Sequence, residues 1–378
     1  MARILHLSRG GAFGGSQRQL AYVTEDLSPK HSHVIVCISP GPFVDYCRAH
    51  NGATQVMKLR PWRKRRHFFF RYRDARQLTH FAREQKIDLV HCADLWLSGY
   101  LFQVAEALGV PSVLHVRTPV SVAQVRKNRF AAATAIVAIS RRVRENLLSA
   151  GIESRQITRI DDAIDTELFG RPPKTNVLRR DYPDSGPFLV GLAAHIRPAK
   201  KQLEFLQAIH HFDRVSSTKA TFFLIGFCHD PAYLDRLQRF VREHRLHQRV
   251  VFTGNRPDMP DVLHSLDLLV SLSGGSVMFE GMACGTCVLS AGFTKREQAV
   301  HLRDGETGVL LDSQEPAELY AAMDGLLTDP KRRQRLGRQA RDWAEQHLDR
   351  KRMARQMDAL YAKLIIGTPC RRDQGQST

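Results

Sequence analysis

The chain predicts an α/β fold made of two parallel-sheet domains, and three observations carry that reading. Short β-rich runs alternate with helical stretches, the pattern of parallel strands joined by crossover helices. The runs fall into two sets. Between the sets, Phe169 to Pro187 carries Pro172, Pro173, Pro183 and Pro187 with Gly170 and Gly186, a density that halts both helix and strand. The expected organisation is therefore a first domain over 1–170, a linker over 171–187 and a second domain over 188–350. A length of 378 residues, with 43% hydrophobic and 25% charged content, accommodates two ordinary globular domains.

In chain order, the first set of strands is expected at Ile4 to Leu7, His33 to Ile38, Gln55 to Leu59, Leu89 to Cys92, Val113 to Val116 and Ala135 to Ile139. The turn after the first of these reads Ser8-Arg9-Gly10-Gly11-Ala12-Phe13-Gly14-Gly15-Ser16 and leads into a helical pattern at Leu20, Val23 and Leu27. Such a loop lets a ligand approach the backbone closely. It is not G-x-G-x-x-G, and Ser39-Pro40-Gly41-Pro42 after the second strand lacks the acid that holds a ribose in a dinucleotide fold, which weakens a dehydrogenase reading.

The second set is expected at Phe188 to Leu192, Phe222 to Ile225, Val250 to Thr253, Leu268 to Ser271, Cys287 to Ser290 and Gly308 to Leu311. After about residue 313 the pattern is helical. A last helix is expected over 351–366 and a disordered tail over 367–378. The most informative stretch follows the apolar run Leu268 to Leu272: a Ser-Gly-Gly-Ser loop, then Phe279-Glu280-Gly281-Met282-Ala283-Cys284-Gly285. Strand, glycine loop and helix start in that order build a phosphate site, with amides and a helix N-terminus facing the anion. A carboxylate one turn on, Glu280, is placed to hold the two hydroxyls of a ribose.

Seven cysteines, an odd number spread over separate elements, do not make the framework of a small secreted domain. Cys284 and Cys287 form a Cys-x-x-Cys without a second pair to complete a zinc shell, so small buried residues are expected there and no metal. The N-terminus turns polar too soon for a signal peptide, and no apolar run approaches the roughly 20 residues of a spanning helix. The expected location is the cytoplasm.

A net charge of +18 is the sharpest compositional fact and points to a polyanion or an anionic membrane. From Lys58 to Arg73 the chain reads KLRPWRKRRHFFFRYR, with eight Lys or Arg, no acid, and aromatics between them. Arg63, Lys64, Arg65 and Arg66 with Phe69 suit a lipid headgroup layer, where each basic residue adds about 1 kcal/mol. The same residues suit a single-stranded nucleic acid, or a solvated loop entering a helix whose rings pack inward. No recognisable nucleic-acid motif accompanies them.

Several segments in order resemble the retaining glycosyltransferases of family four. Val137-Ala138-Ile139-Ser140, Arg142 to Leu148, Gly151-Ile152 and Ile160-Asp161-Asp162-Ala163-Ile164-Asp165-Thr166-Glu167-Leu168-Phe169 look like that family's VAVS…LL…G…IPNGIDTERF. Val190-Gly191 through His195-Ile196-Arg197-Pro198-Ala199-Lys200 resembles VG…GRLxPxKG, Phe252-Thr253-Gly254 its FTG, and Arg303 to Gly308 its xDGxTG. The resemblance covers nearly the whole chain. It implies the GT-B fold, two Rossmann-like domains facing a cleft, with the donor nucleotide on the second domain and the acceptor mainly on the first. It also implies that the last helix crosses back onto the first domain.

Carried over residue by residue, Lys200 matches the lysine that grips the donor diphosphate and Glu280 the glutamate that accepts from the ribose. Gly275, Ser276 and the amides after them would meet the phosphates, with Gly254 also in the donor site. Gly14 and Gly15 correspond to the glycine loop facing the diphosphate, and His115 falls where the family places a histidine near the donor sugar. The family's second glutamate falls at Leu272, its arginine partner of the lysine at His195 with Arg197 nearby, and its Asn-Gly at Asp162-Ala163.

Breaking a sugar–phosphate bond builds an oxocarbenium-like cation and releases a diphosphate, so leaving-group charge must meet preorganised donors. Asp-x-Asp occurs nowhere in the sequence, and Lys200 with Arg197 or His195 is the cation pair expected in place of a metal. The expectation is a metal-independent glycosyltransferase without a cofactor, moving a sugar from a nucleotide-diphosphate donor to a glycan or lipid-linked acceptor at the inner face of a membrane, with no nucleic-acid partner. The alternative is a non-catalytic nucleotide-sugar-binding protein of the same fold.

Overall fold

The computed structural model describes residues 1–50, 53–62, 68–228, 230–291 and 301–367. The chain divides into two compact units, Met1–Ala163 with Arg350–Thr378, and Ile164–Asp349.

In the first unit seven parallel strands run in the order β3-β2-β1-β4-β5-β6-β7: β1 Ala2–Gly10, β2 His31–Ser39, β3 Thr54–Val56, β4 Leu89–Cys92, β5 Ser112–Val116, β6 Ala135–Ala138 and β7 Ile157–Arg159. Side chains alternate across the sheet, so each face has its own core. Leu5, Leu7, Val34, Val36, Val90, Leu114 and Val116 pack on one side with Leu78, Tyr100 and Leu101. Ile4, Leu89, Val113 and Val137 pack on the other, beneath Tyr22, Val23 and Leu27 of the helix Gly15–Leu27 and Met357, Leu360 and Tyr361 of the helix Arg350–Ile366. The last helix thus belongs to the first unit. Its Arg350 makes ion pairs with Glu25 and Asp26 at 2.6 and 2.9 Å.

In the second unit six parallel strands run β10-β9-β8-β11-β12-β13: β8 Phe188–Ala193, β9 Ala220–Ile225, β10 Val250–Gly254, β11 Leu268–Ser271, β12 Cys287–Ala291 and β13 Val309–Leu311. Both sheets share the doubly wound order in which the first strand is central and the winding reverses beside it, between β1 and β4 and between β8 and β11. Ligands of such sheets bind past the carboxyl ends of the strands at that reversal.

Two expectations are corrected. The strand Ile157–Arg159 has no counterpart in the sequence reading, because only Ile157 of its three residues is buried and no apolar run marks it. The segment 171–187 is not a free linker. Its residues Val177–Asp181 form a helix whose Val177 and Leu178 are buried in the second unit's core with Leu189, Phe223 and Leu266, so the division falls at Ala163 and Ile164. The tail expected to be disordered lies outside the described residues from 368 onward.

Candidate functional site

On the second unit the candidate residues collect past the carboxyl ends of β8 and β11, the two strands at the winding reversal. After β8 the chain extends through His195 and Arg197 and closes a 3₁₀ turn, Pro198–Lys200. After β11 it runs through Ser273 and Gly274 to Gly275, the N-cap of the helix Ser276–Cys284. Gly275 has φ +124° and ψ 171°, a conformation open essentially to glycine alone. A Cβ placed there would lie 3.9 Å from Lys200 Nζ, so the lysine ammonium stands over the helix entrance.

That entrance is electropositive by construction. No side chain caps the helix and no acid sits in its first turn, so the Ser276 and Val277 N–H groups face the entrance without a cap, ahead of Met278, whose amide donates to the Gly275 carbonyl at 3.3 Å. Lys200 is half-buried and has no carboxylate partner among the described residues. Burial, and then the neighbouring Arg197, lower its pKa from the usual lysine value. Both causes disfavour the charged form, and the attraction of an anion bound at the helix entrance opposes both. Lys201 beside it is spent on Glu204 at 2.7 Å. Gln202 is buried and donates from Nε2 to the His195 carbonyl at 2.9 Å, which ties the His195–Lys200 loop to its following helix.

Glu280 lies one turn into the same helix and is buried, at 6% exposure. His195 and Arg197 are exposed on the loop. Gly254 ends β10 with φ +68° and open space about it, two strands from β8, and its carbonyl accepts from the Gly226 amide. The structure therefore brings Lys200, Arg197, Gly275 and Ser276 together and sets Glu280 behind them, with Gly254 further along the same edge. Leu272, where the resemblance leads one to expect a glutamate, is buried in the apolar core, and its carbonyl accepts from Gln314 Nε2 at 2.7 Å.

On the first unit, Gly14 caps the helix Gly15–Leu27 in an extended conformation, and Gly15 has open space where a side chain would go. The tight positions of that turn are Gly10 and Gly11, at φ +68° and +71°; a Cβ on Gly10 would lie 2.5 Å from the Ser39 carbonyl. Past the carboxyl end of the neighbouring β4, Asp94 makes an ion pair with Arg9 at the end of β1.

His115 ends no isolated strand position but a diagonal of histidines. Register pairs His33 with Ile4, His6 with His91 and His91 with Val113, so His33, His6, His91 and His115 lie on one face of β2, β1, β4 and β5. His33 Nδ1 is 2.9 Å from His6 Nε2, His6 Nδ1 is 3.1 Å from His91 Nδ1, and the His115 ring stacks on His91 with centroids 5.5 Å apart. Burial holds all four below the usual histidine range, His33 at about 4 and His91 at about 3. Arg117, two residues past His115, makes an ion pair with Asp162. Sequence reading missed His6, His33, His91 and the Arg117–Asp162 pair. The available signal was the recurrence of histidine at same-face positions of adjacent strands.

Of the basic aromatic segment, Arg63, Lys64, Arg65 and Arg66 lie outside the described residues. Phe69, the second residue of the helix Phe68–Glu84, is 84% exposed, with Phe70 and Tyr72 also exposed. Trp62 instead packs inward against Tyr100, with ring centroids 5.0 Å apart, and Gly99. Among the described residues no helix is long and apolar enough to cross a membrane.

Two family models match the chain, "Glycosyltransferase Family 4" over residues 13–168 and "Glycosyl transferases group 1" over 176–343. Together they follow its two sheets, and the chain belongs to the group 1, family 4 glycosyltransferases. A curated relative, the GDP-mannose-dependent alpha-(1-6)-phosphatidylinositol monomannoside mannosyltransferase of Mycolicibacterium smegmatis, is 26% identical over 227 residues, 56% of this chain and 58% of that protein. The D-inositol 3-phosphate glycosyltransferase of Thermomonospora curvata is 45% identical over 64 residues, 17% of this chain and 14% of that protein. These matches span 58% or less of the curated relatives' lengths. Among solved structures, Anabaena Alr3699/HepE in complex with UDP and glucose superposes with TM-score 0.82 at 20% identity, covering 96% of this chain and 100% of that one. A glycosyltransferase from Rickettsia africae superposes with TM-score 0.84 at 15% identity, covering 97% and 99%. The fold is that of these GT-B proteins.

Proposed function

We propose that the chain is a retaining glycosyltransferase that takes its sugar from a nucleotide-diphosphate donor without a metal and passes it to a glycan or lipid-linked acceptor. The observation that carries this reading is the half-buried Lys200 ammonium standing over Gly275 and an uncapped helix N-terminus at the winding reversal of the second sheet. A departing diphosphate is the charge that such a site accommodates: peptide N–H groups on one side, Lys200 and Arg197 on the other. Buried Glu280, one turn along, suits a ribose diol. The family resemblance supports retention. The relatives' names add GDP-mannose and the solved neighbour adds UDP and glucose as the ligand types to try.

Within this reading His115 serves the donor sugar, neutral because it is buried. Exposed Phe69, Phe70 and Tyr72 beside the basic run 63–66 support docking on an anionic membrane face, where a lipid-linked acceptor resides. The test is incubation of the purified chain with UDP- and GDP-sugars and membrane lipid extract in EDTA, following release of nucleoside diphosphate and label transfer to lipid. Transfer supports the reading, and absence of both binding and release for every donor overturns it.

A second reading, a nucleotide-sugar-binding protein without turnover, is favoured by one observation: Leu272 places an apolar side chain in the core where a donor-contacting glutamate is expected. Donor binding with no release or transfer identifies that case.

A further inference from the structure

Four of the buried polar atoms that have no hydrogen-bond partner among the described residues belong to one cluster on the first unit: His91 Nε2, His115 Nε2, Arg117 Nη1 and Asp162 Oδ1. The side chains are mutually linked. His91 and His115 stack at an interplanar angle of 24°, Arg117 acts electrostatically on both rings, and its other terminal nitrogen is held by the second oxygen of Asp162. Buried polar atoms are ordinarily paired, so four orphans in one cluster call for a polar partner that the described residues do not supply.

What the cluster offers follows from the bonding behind it. The Tyr361 hydroxyl is buried, keeps its proton, and has His91 Nδ1 as its partner at 3.0 Å. The phenol oxygen both donates and accepts, so this contact ties Tyr361 to His91 Nδ1 in either ring tautomer. His6 Nδ1 lies 3.1 Å from the same nitrogen, and His6 Nε2 lies 2.9 Å from His33 Nδ1. The row and Tyr361 thus occupy His91 Nδ1 and leave Nε2 as the ring's unpartnered nitrogen. Beside it Arg117 Nη1 donates and Asp162 Oδ1 accepts. The backbone next to Asp162 is clamped by buried Gln19, which donates to the Ala163 carbonyl at 2.7 Å and accepts from its amide at 2.8 Å.

We propose that His91, Arg117 and Asp162 extend the His115 position into a subsite that reads vicinal hydroxyls of a sugar ring, with Arg117 and Asp162 determining which ring is accepted. Each hydroxyl gives one hydrogen bond and takes others, so it suits the Arg117 donor, the Asp162 acceptor and imidazole nitrogens of either tautomer. A phosphate would meet the Asp162 carboxylate, and an apolar group would leave all four atoms unpaired. The aspartate stands where the family pattern has asparagine, and it is this exchange that provides Arg117 with its ion partner. The inference rests on the reading above that the chain handles sugars. The ring belongs either to the donor or to the acceptor.

The test uses the full chain and Asp162→Asn, which keeps shape and removes charge, with Arg117→Gln as the second variant. Dissociation constants are measured for UDP, GDP, UDP-glucose, GDP-mannose, methyl α-glucoside and methyl α-mannoside. The expected result is unchanged affinity for the nucleoside diphosphate and at least tenfold weaker binding either of its sugar nucleotide, which assigns the ring to the donor, or of a methyl glycoside, which assigns it to the acceptor. Equal affinities in wild type and both variants overturn the subsite even where nucleotides bind. A wild-type chain that binds glycosides but no nucleotide overturns the previous reading and leaves the subsite standing, whereas binding nothing overturns both.

Discussion

Lys200 Nζ stands 3.9 Å from the point where Gly275 would carry a Cβ, so a flexible cation after β8 and a residue without a side chain after β11 define one anion-sized space. Neither residue type alone makes a site. A lysine on a loop is ordinarily solvated, and a glycine at a helix N-cap is ordinary capping. Their juxtaposition at the winding reversal, with the lysine partly desolvated, is what the functional account builds on.

Replacing Lys200 by Ala removes a charge-assisted contact to the diphosphate, a group worth about 1.5–3 kcal/mol, or roughly 10- to 100-fold in affinity. Melting temperature is expected to stay the same or rise slightly, because burial and Arg197 both oppose the lysine's charge in the free protein. Parallel titration calorimetry and thermal melts of Lys200→Ala check both halves.

Gly275→Ala tests the backbone side of the same space. At φ +124° and ψ 171° any Cβ is strained by about 1–3 kcal/mol, and relaxation of the turn re-aims the leading amides. Loss of diphosphate affinity larger than the loss of stability is expected. Wild-type affinity in Gly275→Ala would remove the helix entrance from the site.

The histidine diagonal makes the first unit acid-sensitive. In the folded chain burial holds His33 at about 4 and His91 at about 3, and holds His6 and His115 well below the ordinary value of 6.5. Between pH 6.5 and about 4 the unfolded chain therefore binds more protons than the folded one, and stability falls as pH falls, by about 1.4 kcal/mol per pH unit for each such histidine. Above pH 6.5 these groups contribute no slope. Arg117 near His91 and His115 adds to the penalty of protonation. Urea midpoints of the whole chain from pH 7.5 to 5 check this, and a flat profile below pH 6.5 contradicts it.

Thiol chemistry separates packing from function at Cys284 and Cys287. Burial raises both thiols, Cys287 to about 12, and the six cysteines described are all unpaired. Neither residue is expected to react with an aromatic disulfide reagent until the second unit unfolds, as judged by mass mapping of labelled peptides. Rapid labelling in the native state would show that this helix end opens.

The membrane reading predicts salt-sensitive binding to vesicles containing anionic lipid, weakened by neutralising Arg63 to Arg66 and, separately, by Phe69→Ser. Phe69 is 84% exposed, so its replacement leaves the core untouched. Cosedimentation measures it, and equal binding to neutral vesicles counts against it.

Much of this architecture was legible because parallel strands in buried sheets announce themselves. Leu89–Cys92 and Leu268–Ser271 are apolar runs whose ends coincide with the observed strands, and the glycines that follow β1 and β11 mark the two reversals. Glu280 and the glycine loop before it were singled out because strand, glycine and helix follow one another in sequence, whereas Lys200 was reached only through the family resemblance. What escaped depends on contacts between distant strands. His6, His33 and His91 are unremarkable singly and become a chain only once register aligns them. The proline-rich segment misled for the converse reason: prolines stop regular structure without preventing Val177 and Leu178 from burying themselves in the neighbouring core.

The most direct measurement is titration calorimetry of UDP and GDP into the full chain in excess EDTA, for wild type and Lys200→Ala. The account predicts that at least one nucleoside diphosphate binds the wild type with divalent ions removed, and that Lys200→Ala weakens it at least tenfold with the fold intact. Binding that appears only when magnesium or manganese is restored, or that is indifferent to Lys200, would contradict it.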